Sequence, residues 1–571
     1  MSVLGILSIA SAAAPRMQTF AGGMEFLPPF AHEAARGATA AVGLALLMLA
    51  GGLRRGKRRA WLVAVVLAFS VSVLAVVKGF DLPEATLSFL GGLALLRSRS
   101  AFTGEADPRS WVTTLRIFLT SFAAAWGAGV VIFMADRDGQ IGQPGFATVA
   151  EHVIDGMVGI SGPVQFASTT RQDAVTIMLL LLGAVVVIST LTSLLRPAGG
   201  PRARTQGADA QLRTLLTART RQDSLGYFAL RDDKSVVFSP SGKAAVAYRV
   251  VGGVSLASGD PIGDPEAWPG AINAWLTEAR RYAWLPAVLA PGSTGAEAYH
   301  RAGFDALELG DEAVLDVQEF ALDGRAMRTV RQAVNRVRRL GYVADVLAME
   351  DLTAPEIAEL HHVSQAWREG ETERGFAMAL GRFGAVNDRG CSLVRARDAD
   401  GKLCALLHLV PWGAEGLSLD VMRRSPETDN GVIELMVVEL LQHASAAGLA
   451  KVSLNFAVFR SVFERGGRLG AGPVLRLWRR VLLGASRFWQ IESLYRANAK
   501  YQPVWEPRFL CFESARDLPR VTVAALRAEA FLPTLTLPVP GWLRRRPAAV
   551  SAETLPAQIA KPPVEQEQSW V

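Results

Sequence analysis

The sequence predicts a fold in two parts, an N-terminal polytopic α-helical membrane domain followed by a cytoplasmic α/β domain. Half of the 571 residues are hydrophobic, and the apolar runs are concentrated before about residue 196. The later part alternates strand-like and helix-like segments in two passes of similar size, as α/β proteins do. A chain of this length is also too long for one compact domain.

Five apolar runs approach or reach the length that spans a bilayer. They are 37–52, 60–79, 83–97, 111–135 and 173–195. A sixth candidate is Ser2–Ala14, which lacks the basic n-region of a signal peptide and is interpreted as a short or truncated first span. The sequence therefore predicts a membrane domain of five or six helices over residues 1–196.

Lysine and arginine in the loops set the predicted orientation, because short cytoplasmic loops carry an excess of both. Counting crossings places three loops inside, and their basic residues are Arg54, Arg55, Lys57, Arg58, Arg59, Arg97, Arg99, Arg109, Arg196, Arg202 and Arg204. The loop 136–172 falls outside and holds only Arg137 and Arg171. The soluble half is therefore predicted to be cytoplasmic, and the protein to be a multi-pass protein of the cell membrane.

Charge and cysteine content narrow the function classes. The net charge of +7 suits nucleic acid or anionic lipid as a partner, and it equally suits a membrane protein with basic cytoplasmic loops. Cys391, Cys404 and Cys511 are odd in number and widely spaced, which argues against a disulfide framework. Neither a CxxC pair nor an HExxH motif occurs, so we predict no metal site. No ionisable residue lies in mid-span with an obvious partner, which favours a membrane anchor over a transporter.

The soluble half begins after a linker rich in Pro, Gly and Arg at 197–210. We predict a first subdomain over 211–320, a second over 321–535 and a disordered tail over 540–571. The predicted strands are Val236–Phe238, Ala244–Val250, Val254–Ser258, Leu285–Leu289, 391–397, 403–410 and 416–422. The predicted helices are 266–282, 324–340, 354–368 and 431–447. Two acetyltransferase-like units would fit this order.

The segment 417–434 carries a strand that ends in a polar loop, and the loop opens a helix. Asp420 and Arg423 lie at the strand's end, where α/β sites usually lie. Asp420 can hold a substrate ammonium, and Arg423 can hold a phosphate. Asn430 is the predicted N-cap, beside helix amides that favour an anion or a carbonyl oxygen. A strand-end salt bridge with an ordinary cap explains the same residues equally well.

A second segment, 492–509, places Glu492, Tyr495 and Arg496 on one helix face. Two prolines then stiffen an extended stretch that carries Trp505 and Arg508. The alternative is that this helix is purely structural, with its apolar side packed on the protein and its polar side in solvent.

The basic helix 324–340 places Arg328, Arg331, Asn335 and Arg338 on one face. This face can bind tRNA phosphates or anionic lipid headgroups. A solvated charged face is the alternative.

One expected pattern is missing. Acyl-CoA pyrophosphate is usually bound by a loop of the form Q/R-x-x-G-x-G/A between a strand and a helix, and the loop Arg423–Gly431 lacks those glycines. This counts against transfer from acetyl-CoA.

Several motifs together resemble the phosphatidylglycerol lysyltransferases, the multiple peptide resistance factor family, over about 223–513. The motifs are Tyr227–Lys234 with Phe238-Ser-Pro240, Ala247–Gly253 leading to Gly259–Gly263, Asn335-Arg336, Trp367 with Glu373–Phe376, Asp420–Arg424 with Asn430-Gly431, and Tyr495–Lys500 leading to Trp505–Arg508. Full-length members carry many more spans, including a flippase module, so this chain looks like the shorter actinobacterial-type members.

The resemblance implies a tandem acetyltransferase-like (GNAT-like) fold and a tRNA-dependent aminoacyltransferase without a cofactor. Lysine from lysyl-tRNA would pass to phosphatidylglycerol, an anionic phospholipid of the membrane. The product carries added positive charge and repels cationic antimicrobial peptides, an antibiotic-resistance function. The oligomeric state is not predicted.

The implied reaction is a transesterification, which needs the amino acid held, the ester carbonyl polarised and a hydroxyl proton taken. We assign Asp420 to the substrate ammonium, and Arg423 and Arg508 to phosphate or the tRNA 3′ end. Glu492 is the general base or recognises the amino-acid side chain, and Lys500 stabilises the oxyanion. Asn430 positions the carbonyl, while Glu434 and Tyr495 complete the predicted substrate-binding set.

Several rival functions stay open from the sequence. The donor can be alanine, ornithine or arginine, and the acceptor can be diacylglycerol. A peptidoglycan-bridge aminoacyltransferase, a flippase with an accessory cytoplasmic domain and an inactive tRNA- or lipid-binding module are further alternatives.

Overall fold

The computed structural model describes most of the chain. The described residues are 4–8, 29–54, 56–79, 82–102, 110–135, 140–194, 204–217, 222–368, 375–385, 388, 390–458 and 496–532. The predicted disordered tail and two predicted site residues, Glu492 and Tyr495, lie outside them.

Each of the five apolar runs forms a helix in the N-terminal part, and a further helix lies between the fourth and the fifth of them. The helices are α1 (Pro29–Arg54), α2 (Arg58–Gly79), α3 (Leu82–Arg97), α4 (Ser110–Ala135), α5 (Phe146–Val158) and α6 (Thr169–Leu194). Among the described residues, three stretches are long and apolar enough to cross a membrane, namely Arg58–Val76, Thr114–Ala135 and Thr169–Leu194. Helix α3 has 16 residues and is therefore only about 24 Å long, less than the roughly 30 Å of a bilayer core.

Helix α5 was not predicted, because its 13 residues are too few to span and lie in the loop 136–172. Its apolar side packs Val149 and Val153 against Phe133 of α4 and Leu179 of α6. Helix α6 lies close to α5 at Gly183, since a Cβ on Gly183 would lie 2.1 Å from the Met157 carbonyl oxygen. The predicted outer loop is thus partly a helix packed on two neighbours.

The part of the chain that follows the membrane helices contains one mixed sheet. Its strands are β1 (Ser235–Phe238), β2 (Ala244–Val251), β3 (Val254–Ser258), β4 (Ile262–Gly263), β5 (Leu285–Leu289), β6 (Asp305–Asp316), β7 (Val343–Ala348), β8 (Ser392–Arg397), β9 (Leu403–Trp412), β10 (Gly416–Arg424), β11 (Lys451–Val458) and β12 (Val504–Phe512). The order is β1-β2-β3-β5-β12-β6-β11-β10-β9-β8-β7, with β4 beside β2. Strands from the two halves of the sequence therefore lie at opposite ends of the sheet.

Strand β12 joins these halves. Leu510–Phe512 pair with Ala287–Leu289 of β5, and the whole of β12 pairs with β6 on its other side. The predicted subdomain boundaries stay a prediction, but the sheet is continuous across them.

Helices cover the sheet. They are α7 (Gln206–Thr217), α8 (Trp268–Arg281), α9 (Ser293–Arg301), α10 (Arg328–Arg339), α11 (Ala354–Ala366), α12 (Val432–Ala446) and α13 (Leu518–Ala528). The buried face of α8 packs Trp275 on the first half, and α10 and α12 share a core on the second half. The four helices predicted in this part are confirmed, each within a few residues of its predicted ends.

Candidate active site

The site region begins where β10 and β11 separate. The two strands pair in parallel only through Gly416–Ser418 and Lys451–Ser453. Beyond this point, the β9–β10 register shifts at Asp420, and the β6–β11 register shifts around Asn455, whose φ is 71°. Strand β10 therefore diverges from β11 near Asp420, a residue that the sequence predicted to lie in the site.

A loop, 375–385, lies across these irregular strands. Asn455 donates through Nδ2 to the carbonyl oxygens of Leu419 (2.6 Å) and Met378 (3.2 Å). At the loop's start, the Phe376 and Ala377 amides donate to the buried Glu529 carboxylate at 2.6 and 2.9 Å. Side chains from distant parts of the chain thus fix the loop against the sheet.

The Asp420 carboxylate is enclosed beneath this loop. It accepts a hydrogen bond from the Leu380 amide at 2.7 Å and contacts His408 Nδ1 at 2.7 Å. Burial lowers the pKa of His408, but the hydrogen bond to Asp420 outweighs burial and raises the pKa to about 10. His408 is therefore a cation at neutral pH. The ammonium-binding role of Asp420 stays a prediction, and its observed contacts position the loop and His408.

Glu434 in the first turn of α12 forms a partly exposed polar pair with Lys500, which comes from a later segment of the chain. Lys500 Nζ donates to Glu434 Oε1 at 2.7 Å, with side chains 25% and 18% exposed. Lys500 Nζ also lies 5.2 Å from the centre of the Tyr501 ring. The structure thus brings together one predicted catalytic residue and one predicted substrate-binding residue at a helix N-terminus, where negative charge is favoured.

The N-cap prediction for Asn430 is wrong. Gly431, with φ 108°, occupies the N-cap, and no side chain caps the helix. A Cβ on Gly431 would lie 3.0 Å from Val337 of α10, so the tight helix contact and the positive φ both favour glycine. Asn430 is exposed, and its side chain accepts from Arg424 at 3.3 Å.

Arg508 lies in a buried charge cluster between the two halves of the sheet. Its guanidinium is 2.7 Å from Asp223 Oδ1, and it donates to Glu312, Ser224 and the Ala290 carbonyl. Burial lowers its pKa, but Asp223, Glu312 and Asp260 outweigh it and raise the pKa. Contact of Arg508 with phosphate stays a prediction, while the observed contacts join β12 to β6 and the first half.

The basic helix α10 is amphipathic, with Val330, Val334 and Val337 buried. Its arginines differ in their contacts. Arg331 donates to the Leu322 and Gly324 carbonyls, and Arg338 lies 2.6 Å from Glu439 of α12. Arg328 and Asn335 are exposed. One face of the helix is therefore partly neutralised by its neighbours.

Arg423 is half-buried and donates to the Met422 carbonyl at 3.2 Å. It lines a small cavity beside α11. Among the described residues, no cluster of three or more His, Cys, Asp or Glu side chains could hold a metal ion.

Sequence reasoning missed several residues that shape this region. His408 and Asn455 lie on β9 and β11, the two strands that flank β10, and Glu529 directly follows α13. Lys234 is fully buried, donates to Ser258 at 2.6 Å and lies 4.5 Å from the Phe376 ring centre. The sequence indicated Lys234 only as the last residue of the family motif Tyr227–Lys234.

The chain is similar to known proteins over most of this region. Residues 213–512 match the family model described as phosphatidylglycerol lysyltransferase, C-terminal. The chain is 54% identical over 364 residues to the lysylphosphatidylglycerol biosynthesis bifunctional protein LysX of Rhodococcus opacus (strain B4), covering 64% of this chain and 32% of that protein. It is 43% identical over 507 residues to the LysX protein of Mycobacterium sp. (strain JLS), covering 85% and 46%. The chain thus spans a third to a half of the length of these relatives.

The fold is similar to that of a solved structure, L-PGS from Bacillus licheniformis. The TM-score is 0.50 at 23% identity, covering 57% of this chain and 97% of that one.

Proposed function

Because the chain belongs to the phosphatidylglycerol lysyltransferase C-terminal family, we propose that it transfers lysine from lysyl-tRNA to phosphatidylglycerol. The observation that carries the proposal is the family match over 213–512, which contains Asp420, Glu434, Lys500 and Arg508. The three apolar helices that are long enough to span a bilayer support a membrane location. In this proposal they anchor the sheet domain near its lipid substrate.

The proposed step is a transesterification. A hydroxyl oxygen of the phosphatidylglycerol headgroup attacks the ester carbonyl carbon of lysyl-tRNA. The new ester bond forms, the bond to the ribose oxygen of the tRNA breaks, and the hydroxyl proton passes to that ribose oxygen. The tRNA is a co-substrate, and no further cofactor is required.

Lys500 and Glu434 are the best-placed described residues for this step. Both side chains are partly exposed, and they are hydrogen-bonded to each other. Lys500 stabilises the oxyanion of the tetrahedral intermediate, and Glu434 fixes the position of the Lys500 side chain. Glu492 keeps its proposed role as general base or side-chain recogniser, and Tyr495 its role in substrate binding.

Buried Asp420 and Arg508 act as positioning residues. Asp420 fixes the loop 375–385 from below, and Arg508 fixes β12, which directly follows Lys500 in the chain. Exposed Arg328 on α10 binds tRNA or lipid phosphate. We place the sheet domain on the cytoplasmic side, where aminoacyl-tRNA is made.

The test is expression of the chain in a bacterium that lacks aminoacylated lipids, followed by mass spectrometry of the lipid extract. A new phosphatidylglycerol species heavier by one lysine residue is expected. Another mass increment would change the donor, and a heavier diacylglycerol would change the acceptor. Absence of product with purified lysyl-tRNA and phosphatidylglycerol would refute the proposal.

A further inference from the structure

A small basic cavity lies between α11 and the end of β10. Its volume is about 50 Å³, enough for a few water molecules or one tetrahedral oxyanion. The described residues that line it are His361, Ser364, Gln365, Arg368, Gly381, Arg382, Phe383, Val421 and Arg423. Three arginines and no carboxylate are among them, so the lining selects for an anion.

The arginines contribute differently. Arg382 is held by Asp388 at 2.7 Å, by Asp232 at 2.8 Å and by the Leu230 carbonyl, so it serves mainly as a rigid wall. Arg423 gives one hydrogen bond to the Met422 carbonyl. A guanidinium has five donors, so Arg423 retains donors that a phosphate oxygen can accept.

An apolar groove adjoins this cavity along the same helix. Its volume is about 460 Å³, within the roughly 300–1,000 Å³ of ligand pockets. It is lined by Met349, Leu352, Ala354, Ile357, Ala358, His361, Phe383, Gly384 and Ala385. His361 and Phe383 line both spaces, so the groove opens directly beside the basic cavity.

Glycine sets the width of the groove. Gly384 has φ 71°, and a Cβ there would lie 2.2 Å from Ile357 Cγ2. The loop 375–385 therefore runs as close to α11 as a glycine backbone allows.

We propose that this composite surface binds the anionic phospholipid acceptor, with its phosphodiester in the cavity of Arg368 and Arg423 and an acyl chain along the groove. The charge of the cavity matches the phosphodiester, and the adjoining apolar wall matches a hydrocarbon chain. A tRNA end would present ribose and further phosphates to that wall. The assignment rests on the proposed function, since it locates the acceptor of that reaction.

The test uses the full chain in nanodiscs of phosphatidylcholine doped with phosphatidylglycerol that carries a photoreactive group on one acyl chain. Labelled peptides are mapped by mass spectrometry. Label is expected on 354–361 or 383–385, besides the membrane helices. The substitutions Arg368→Gln and Ala358→Glu are each expected to lower this label roughly tenfold. Ala358 is exposed, so its substitution leaves the fold intact.

Arg397→Gln is the matched control, because Arg397 lines a different cavity on another face of α11. It is expected to keep the groove label. The inference is overturned if label appears only in the membrane helices, if a photoreactive phosphatidylcholine labels the groove equally, or if tRNA protects the groove and phosphatidylglycerol does not.

Photolabelling requires no transfer, so the two proposals fail separately. Groove label without lipid product supports the site and refutes the transfer. Lipid product with an unchanged KM for phosphatidylglycerol in Arg368→Gln and Ala358→Glu refutes the site and supports the transfer.

Discussion

The Nδ1 atom of His408 lies 2.7 Å from a carboxylate oxygen of Asp420, and neither side chain is exposed. The same carboxylate accepts the Leu380 amide. One buried ion pair therefore connects two neighbouring strands to the loop that borders the proposed lipid groove.

Replacing His408 by Gln should destabilise the sheet domain by roughly 3–5 kcal/mol near pH 6, because it leaves the Asp420 carboxylate buried without its cation. The folded pKa of His408 is about 10, above the ordinary 6.5. Its contribution is thus fully present below pH 6.5 and is lost as the pH rises through 10. Denaturant unfolding of the detergent-solubilised protein at several pH values measures this difference. Exposed His362→Gln should show neither the loss nor the pH trend.

Lys234 should give the opposite pH dependence. Burial lowers the pKa of Lys234 from 10.5 to about 7 in the folded protein. Folding therefore releases its proton between these values, and stability rises with pH at up to roughly 1.4 kcal/mol per pH unit. Relative to Lys234→Met, the wild type should gain free energy of unfolding from pH 7 to 10. Lys243→Met, at an exposed lysine, should keep the wild-type dependence of unfolding free energy on pH. If Lys234→Met also showed the wild-type dependence, the lowered pKa of Lys234 would be contradicted.

Arg508→Met should destabilise the protein by roughly 3–5 kcal/mol, because Asp223 and Glu312 lose their shared cation in a buried cluster. Arg508→Lys should recover only part of this, since one ammonium cannot replace a forked guanidinium. Thermal unfolding measures both. Arg301→Gln removes an exposed pair with Glu297 and should change stability by less than about 1 kcal/mol. A mild effect of Arg508→Met would instead favour a direct substrate role.

Lys500→Met should lower kcat for lipid aminoacylation by roughly a hundredfold, while the unfolding temperature changes little. The Lys500–Glu434 pair is partly solvent-exposed, so its loss costs little stability. Product is quantified from labelled lysyl-tRNA and phosphatidylglycerol vesicles. Lys402→Met breaks a more exposed pair with Glu427 and should keep full activity. Full activity of Lys500→Met would remove it from the mechanism.

Substitutions of the three α10 arginines should differ in their effects on tRNA binding. Arg328→Ala should weaken binding and reduce the salt-dependence slope by about one. Arg338→Ala should do so less, because Glu439 already neutralises Arg338. Arg331→Ala should mainly lower stability, since Arg331 holds the backbone at 322–324. Fluorescence anisotropy with tRNA over a salt series measures all three, and identical slopes would mean that the helix face does not meet phosphate.

Local patterns predicted much of this fold. The membrane helices follow from apolar runs, and α8, α10, α11 and α12 follow from helix-like segments that alternate with strand-like ones. The alternating segments also predicted most strands of the two outer parts of the sheet. These features depend on residues close together in the chain.

The centre of the sheet was not predictable in this way. Strand β6 carries Asp311 and Glu312 in a buried position, and β12 carries Pro507, so neither reads as a central strand. The burial of Glu312 is explained by Arg508, which lies 196 positions away in the chain. Similarly, Asp420 was identified as important, but its engagement by His408 and Leu380 depends on strand register and loop placement that local sequence does not encode.

The position of β12 at the centre of the sheet has a consequence for biosynthesis. Arg508 and Ala290, which touch in the folded protein, are 218 positions apart in the chain. At roughly 5–20 residues per second, the ribosome takes on the order of 10–40 s to make the intervening sequence. During that time β5 and β6 have open edges, which invite wrong pairing. The two halves of the sheet therefore close only after β12 has been made, so chaperones and growth temperature should influence the protein's yield more than that of a protein whose halves fold in turn.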